Sequence, residues 1–275
     1  MKKYIGLFVA LAMMFPALGV ISSAAEKTKK VVLEGSTTVL PIAQKAAEVF
    51  MNNNPEADIT VRGGGSGVGI TSLIEGTCDI ADSSRAMKDA EIQKAEAKGI
   101  KPKAHVIAMD GIAVIVNPSN KISGITKKQA LDIYTGKVSD WSELGQEAGK
   151  IVVLSRDSAS GTFEAFGALA LGGEKVRADA LMQASNQAIA SMVAKTPGAI
   201  GYVGLGYVTD SIKAIQVEGV SPSSQTVLSG KYPYSRPLFM YTNGEAKGTA
   251  KDLINFILSK EGQKLVVEEG FVSLK

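Results

Sequence analysis

The chain has 275 residues, one cysteine, one histidine and a formal net charge of +3, with hydrophobic residues making up 45% of it. A single cysteine excludes an internal disulfide, and one Cys and one His without carboxylates clustered at ligand spacing offer no metal site, so neither a metal nor another cofactor is expected. The near-neutral balance lacks a basic stripe of the density that a nucleic acid requires, which argues against a nucleic-acid partner.

Residues 1–25 begin with Lys2-Lys3, continue in an apolar run from Tyr4 to Ile21 and end in Ser23-Ala24-Ala25. This charged, apolar, small-residue order is that of a secretory signal peptide, with cleavage expected near Ala25 and a periplasmic product. Gly6, Pro16 and Gly19 interrupt the run, which speaks against a membrane anchor, and no cysteine is present for lipid attachment. Removing the segment takes two lysines and lowers the net charge to +1. The remaining chain is long enough to bury one large core or two ordinary ones.

Residues 31–33 read as a short buried strand leading into Gly35-Ser36-Thr37-Thr38. A helix over 41–51 follows, with Ile42, Ala46, Val49 and Phe50 on one face. Residues 59–61 form a second strand that runs into Arg62-Gly63-Gly64-Gly65-Ser66-Gly67 and then a helix over 68–74. Five glycines between Gly63 and Gly69 cost backbone entropy, so the main chain there is expected to approach something closely. The P-loop lysine is missing, and the dinucleotide fingerprint is out of register. A third strand over 78–81 ends in Asp82-Ser83-Ser84-Arg85 before an amphipathic stretch over 89–98. Cys78 reads as a buried structural thiol. Arg85 is either a second anion ligand or a surface charge.

Strands over 106–109 and 112–116 are separated by Asp110-Gly111, where the composition shifts; this is read as the first crossing into a second domain. Thr126 caps a helix that reaches Tyr134 and stops at Gly136, and Trp141 reads as a packing residue in a loop. A strand over 151–154 then breaks into Ser155-Arg156-Asp157-Ser158-Ala159-Ser160-Gly161-Thr162 before a helix over 164–171. Here the unpaired N–H groups of a first helical turn, at the positive end of the helix dipole, combine with a guanidinium fork that suits a tetrahedral oxyanion. Asn186 reads as the cap of a helix over 187–195, followed by strands over 199–203, 213–217 and 238–241. Residues 221–236 read as loop, the return crossing falls near Pro237, and helices over 249–258 and 261–268 close the chain.

Four hydroxyl-rich junctions of strand and helix facing one crevice would form the usual ligand position of an open α/β sheet. Catalysis is poorly served. His105 would be the sole base, no G-x-S-x-G elbow accompanies it, and an exported phosphatase or esterase using Ser66 or Ser160 would lack a partnered base. The chain therefore reads as a binding protein and not an enzyme.

In this order the motifs carry a resemblance. G-S-T-T-V-L-P from Gly35, G-G-G-S-G from Gly63, D-I-A-D-S-S-R from Asp79, D-G-I-A-V-I-V-N-P from Asp110, T-G-K-V-S-D-W from Thr135, R-D-S-A-S-G-T from Arg156 and P-G-A-I-G-Y from Pro197 resemble the phosphate-binding proteins of bacterial phosphate ABC transporters. The resemblance implies an α/β, two-lobe periplasmic binding protein fold of type II character, with mixed sheets flanked by helices and two hinge crossings. The lobes would be residues 26–109 plus 238–275 and residues 110–237. It further implies a monomer that binds inorganic phosphate between its lobes and delivers it to the membrane permease and ATPase subunits of an ABC transporter. The implied ligands are Thr37, Thr38, Ser66, Ser84, Arg156, Ser160, Gly161 and Thr162, with Ser36, Arg85 and Asp110 as further candidates. Ser84 stands where well-studied members carry a carboxylate that accepts the proton of hydrogen phosphate. The acceptor here would be the Ser84 hydroxyl, Asp82 or Asp110, and without a carboxylate a carrier for sulfate, molybdate or tungstate is the alternative.

Overall fold

The structure is a computed structural model and describes residues 29–274; the signal reading of residues 1–25 lies outside them. The chain opens with β1 (Lys29–Gly35), α1 (Leu40–Asn53), β2 (Ala57–Gly63), α2 (Ser66–Ile74), β3 (Ile80–Ser83) and α3 (Asp89–Ala97). β1 lies between β2 and β3 and pairs in parallel with both, so all three strands deliver their C-terminal ends to one edge. β4 (Pro102–Val116) leads to β5 (Gly124–Ile125), α4 (Lys127–Thr135), a 3-10 turn at Trp141–Leu144, β6 (Val152–Arg156) and α5 (Gly161–Ala170). Then come β7 (Leu181–Gln183), α6 (Asn186–Lys195), β8 (Ala199–Gly204), a 3-10 turn at Leu205–Tyr207, β9 (Lys213–Ala214) and β10 (Gln216–Val217). α7 (Ser224–Leu228), β11 (Ser235–Asn243), α8 (Gly248–Leu258) and α9 (Lys260–Glu268) complete the described chain.

The main sheet runs β2-β1-β3-β11-β4-β8-β6-β7, with β9 also on β4. Its centre is the antiparallel pair β4 and β11, which runs from Ser235 opposite Gly111 to Asn243 opposite Pro102 with one register shift between Leu238 and Phe239. Apolar side chains collect on either side of that pair. Leu33, Ile42, Phe50, Ile80, Leu253 and Ile257 fill one half, between β1, β3, α1 and α8. Val114, Tyr134, Phe166, Tyr202 and Ile215 fill the other. There Phe166 stacks on Tyr202, with ring centroids 4.1 Å apart and planes 10° from parallel.

Several elements differ from the sequence reading for identifiable reasons. Asp110-Gly111 does not interrupt a strand: β4 passes straight through. The bare Cα of Gly111 leaves room for Val227, whose Cγ2 would lie 2.9 Å from a Cβ at that position. Residues 213–217 split into β9 on β4 and β10 on β5. The 221–236 region contains α7, whose cap Ser223 accepts the Thr226 N–H at 3.2 Å. Ser185, not Asn186, caps α6, accepting the Ala188 N–H at 3.0 Å.

The remaining single residues are accounted for locally. Trp141 is buried and donates from Nε1 to the Gly198 carbonyl at 3.1 Å. His105 shares a 2.9 Å hydrogen bond with Thr242 Oγ1. Cys78 is buried just before β3, with its thiol pushed up to about 12 by burial, so it is inert.

Asp82 on β3 is fully buried, and neither carboxylate oxygen has a hydrogen-bond partner. Burial raises its pKa well above the ordinary carboxylate range. Folding therefore takes up a proton, and the stability of the fold falls as pH rises above the unfolded value of about 3.9. Asp82→Asn should raise the melting temperature at pH 8 by about 3 °C or more, the gap closing toward pH 4. Identical melting curves across that range would show that Asp82 carries no such cost.

Candidate functional site

The site is built where the strands end. β1 closes on Gly35, whose φ of +142° suits glycine and whose missing Cβ leaves room for the Asp82 carbonyl. Ser36 Oγ accepts the Thr38 N–H at 3.1 Å and the Val39 N–H at 3.4 Å, so this hydroxyl serves the start of α1. Asn186 Nδ2 donates to the hydroxyls of Thr37 and Thr38, each at 3.0 Å, and its Oδ1 accepts the Gly204 N–H at 3.1 Å. Freed from the capping role, the Asn186 amide spans the gap between the halves. Tyr207 OH donates to the Thr37 carbonyl across the same gap.

The glycine loop after β2 does approach another main chain closely. Gly67 N–H donates to the Ala159 carbonyl at 2.9 Å, and a Cβ at Gly65, where φ is +101°, would lie 2.6 Å from that carbonyl oxygen. Ser66 Oγ accepts the Ser84 N–H at 3.0 Å and sits 3.4 Å from Ser84 Oγ. Gly161 abuts both serines so closely that a Cβ there would collide with them. Ser160 caps α5, accepting the Phe163 N–H at 3.2 Å. Thr162 Oγ1 lies 2.9 Å from Thr38 Oγ1. Thr38, Ser66, Ser84, Gly161 and Thr162 are thus brought together from all four junctions.

Two buried guanidinium groups come from β6 and β11. Arg156, at the end of β6, is only 1% exposed. Its Nε donates to the Gln183 carbonyl at 3.0 Å and its Nη2 to the Ala184 carbonyl at 2.9 Å, while its buried Nη1 has no partner. Burial lowers its pKa, and the nearby Arg236 charge adds to that, against the opposing pull of Asp157. A buried cationic donor left unpaired is costly and calls for an acceptor.

Arg236, which the sequence reading did not select, enters from β11. Its Nη2 donates to Thr162 Oγ1 at 3.0 Å and to Thr38 Oγ1 at 3.3 Å, and its Nη1 donates to the Ser84 carbonyl at 3.1 Å. Its one signal in the sequence was a charge beside Pro237, at the head of an otherwise apolar strand.

The remaining candidates have other duties. Asp110 Oδ2 accepts from Arg236 Nε at 3.0 Å and Nη2 at 2.8 Å, and its Oδ1 accepts the Leu205 N–H at 2.9 Å. Burial raises its pKa, opposed by Arg236, and its lone pairs are already committed to these donors. Arg85 is neither a surface charge nor turned to this cluster: it grips both oxygens of Glu91 at 2.7 and 2.8 Å and lies 2.8 Å from Glu164 Oε2. Neither Asp82 carboxylate oxygen is hydrogen-bonded, to Arg156, Arg236 or any other group. The assembled groups are hydroxyls and guanidinium groups, without a nucleophile–base pair among them, an arrangement suited to holding an anion and not to attacking it. Among the described residues no group of His, Cys, Asp and Glu is placed to hold a metal.

The chain is similar to known proteins along most of its length. The model of the PBP superfamily domain matches residues 22–261. The phosphate-binding protein PstS of Bacillus subtilis (strain 168) is 36% identical over 245 residues, covering 87% of this chain and 79% of that protein. A Clostridium perfringens structure described as a phosphate ABC transporter substrate-binding protein with bound phosphate superposes with a TM-score of 0.84 at 36% identity, covering 90% of this chain and all of that one. An ABC-type phosphate transport receptor from Vibrio cholerae superposes with a TM-score of 0.73 at 32% identity, over 88% of this chain and 99% of that one.

The closeness of Gly65 to Ala159 is testable against a glycine of similar conformation in open surroundings. Gly65→Ala should weaken the binding of inorganic phosphate about tenfold or more by calorimetry. Gly76→Ala, at φ +71° with nothing within 4 Å of its added Cβ, should leave affinity unchanged. Equal affinities for the two variants would show that the approach is not needed.

Proposed function

The chain belongs to the family of phosphate-binding proteins that serve ABC transporters, and from that membership we propose how its own residues carry out the task. It binds inorganic phosphate and supplies it to an ABC transporter; it is a binding protein and not an enzyme. In our reading the two lobes are residues 26–109 plus 238–275 and residues 110–237, hinged through β4 and β11. The exported protein works in the periplasm as a monomer, handing phosphate to the membrane permease that its ATPase partner drives.

Phosphate would lie among Thr38, Ser66, Ser84, Gly161 and Thr162, with Arg156 Nη1 and the Arg236 guanidinium as the cationic walls. Thr37, Ser36 and Ser160 shape the loops through the bonds described above. The observation that carries this reading is the buried, unpartnered Nη1 of Arg156. A closed, water-poor crevice strengthens each bond to the anion. Replacing Arg156 with Met should cost about 2–5 kcal/mol of phosphate binding, measured by calorimetry. Unchanged affinity would contradict the assignment.

A second reading, a broader tetrahedral oxyanion carrier, is favoured by one observation: Asp110 is taken by Arg236 and Leu205, and a hydroxyl stands at position 84. Without a free carboxylate nothing in the cluster is repelled by a fully ionised anion. Sulfate in about hundredfold excess should then displace a measurable share of bound phosphate at pH 7, since each tenfold in preference needs about 1.4 kcal/mol. Complete resistance would mean that an acceptor selective for hydrogen phosphate is present.

A further inference from the structure

Just outside the anion cluster, a separate group of charges joins the two halves. Arg85 and Lys88 lie on the loop from β3 to α3, directly after Ser84, and Glu164 lies in the first turn of α5, two residues after Thr162. Glu164 Oε2 is 2.8 Å from Arg85 Nε and 2.8 Å from Lys88 Nζ. Both contacts cross from the half built around β1 and β3 to the half built around β6 and β8. The Arg85 and Glu164 side chains are largely withdrawn from water, at 8% and 18% exposure, whereas Lys88 is 56% exposed.

Arg85 has a second carboxylate that never crosses: Glu91, six residues away in the same half, takes Nη1 and Nη2 and also accepts the Lys88 N–H at 2.9 Å. Separation of the halves would leave Arg85–Glu91 intact while breaking the Arg85 and Lys88 contacts to Glu164, together with the neutral hydrogen bonds that cross the gap. The arginine is therefore held ready, and the energy of the Glu164 contact belongs to the closed form alone. That energy opposes opening and contributes little to the first encounter with the anion, so it acts on the rate of release.

We propose that Glu164 is a latch residue that holds the halves closed and sets how long phosphate stays bound. This rests on the phosphate reading above and adds a role for a residue that does not touch the ligand. Lys88, being exposed, adds little; the withdrawn Arg85 supplies most of the attraction, and salt screens that contact only weakly.

The test is the release of bound phosphate, followed after dilution into excess unlabelled phosphate, for the full protein and for Glu164→Gln. The variant should release phosphate about 5–30-fold faster, with association within about threefold of the unsubstituted protein and an unchanged unfolding midpoint in the phosphate-free state. Lys88→Ala should change release by less than about threefold, in keeping with the small worth of an exposed pair. Release from Glu164→Gln at the original rate would overturn the latch while leaving the ligand reading intact. So would a loss of stability in the phosphate-free protein, which would mark Glu164 as a merely structural residue. Failure of the unsubstituted protein to bind phosphate would overturn the ligand reading and the latch with it.

Discussion

Two buried arginines, Arg156 and Arg236, lie near enough to feel each other's charge, and the proposed site is organised around that repulsion. Arg156 and Arg236 are each nearly sealed from water; burial lowers the pKa of Arg156, and the charge of Arg236 adds to that. Only one of the two is hydrogen-bonded to a carboxylate: Asp110 balances Arg236, while Arg156 rests on two carbonyls and its Nη1 has no partner. Such a site holds an unmet positive charge at short range. In the proposed reading, a small anion beside both guanidinium groups would relieve the desolvation of Arg156 and the repulsion together, coupling binding to closure.

The scaffold explains why these groups can meet. β1, β2 and β3 are parallel and end together, so their loops present hydroxyls at one edge. The antiparallel pair β4 and β11 runs through the middle of the sheet and places Asp110 directly opposite Arg236. Glycines make the final approach possible where a side chain would hold the loops apart, at Gly65 against Ala159 and at Gly161 against Ser66 and Ser84. Outside this ring, Asn186 and Tyr207 link the halves through neutral hydrogen bonds, and Glu164 links them through charge.

Much of this was legible in the sequence, because it depended on local chemistry. Thr126 and Gly136 bracket α4 as cap and terminator, and the repeated Ser, Gly and Thr at strand ends marked the loops that converge. What escaped depended on contacts distant in sequence. Arg236 matters through a cross-strand partner 126 residues away, and Arg85 through a carboxylate on α5. Asn186 reads as a cap because Ser and Asn serve that position about equally well, and only the tertiary contacts of Asn186 decide that Ser185 fills it. Asp110-Gly111 has turn chemistry, yet Val227 packing against Gly111 uses the glycine for space while the strand continues. At each of these positions tertiary contacts outweighed the local preference.

The central claim is that one tetrahedral anion completes the hydrogen bonding of a buried guanidinium. Diffraction from crystals of the protein grown with phosphate tests it directly. The account predicts phosphate oxygens within hydrogen-bond distance of Arg156 Nη1 and of hydroxyls from both halves, among them Ser66 and Thr162. Phosphate bound elsewhere, with Arg156 Nη1 still lacking an acceptor, would contradict it.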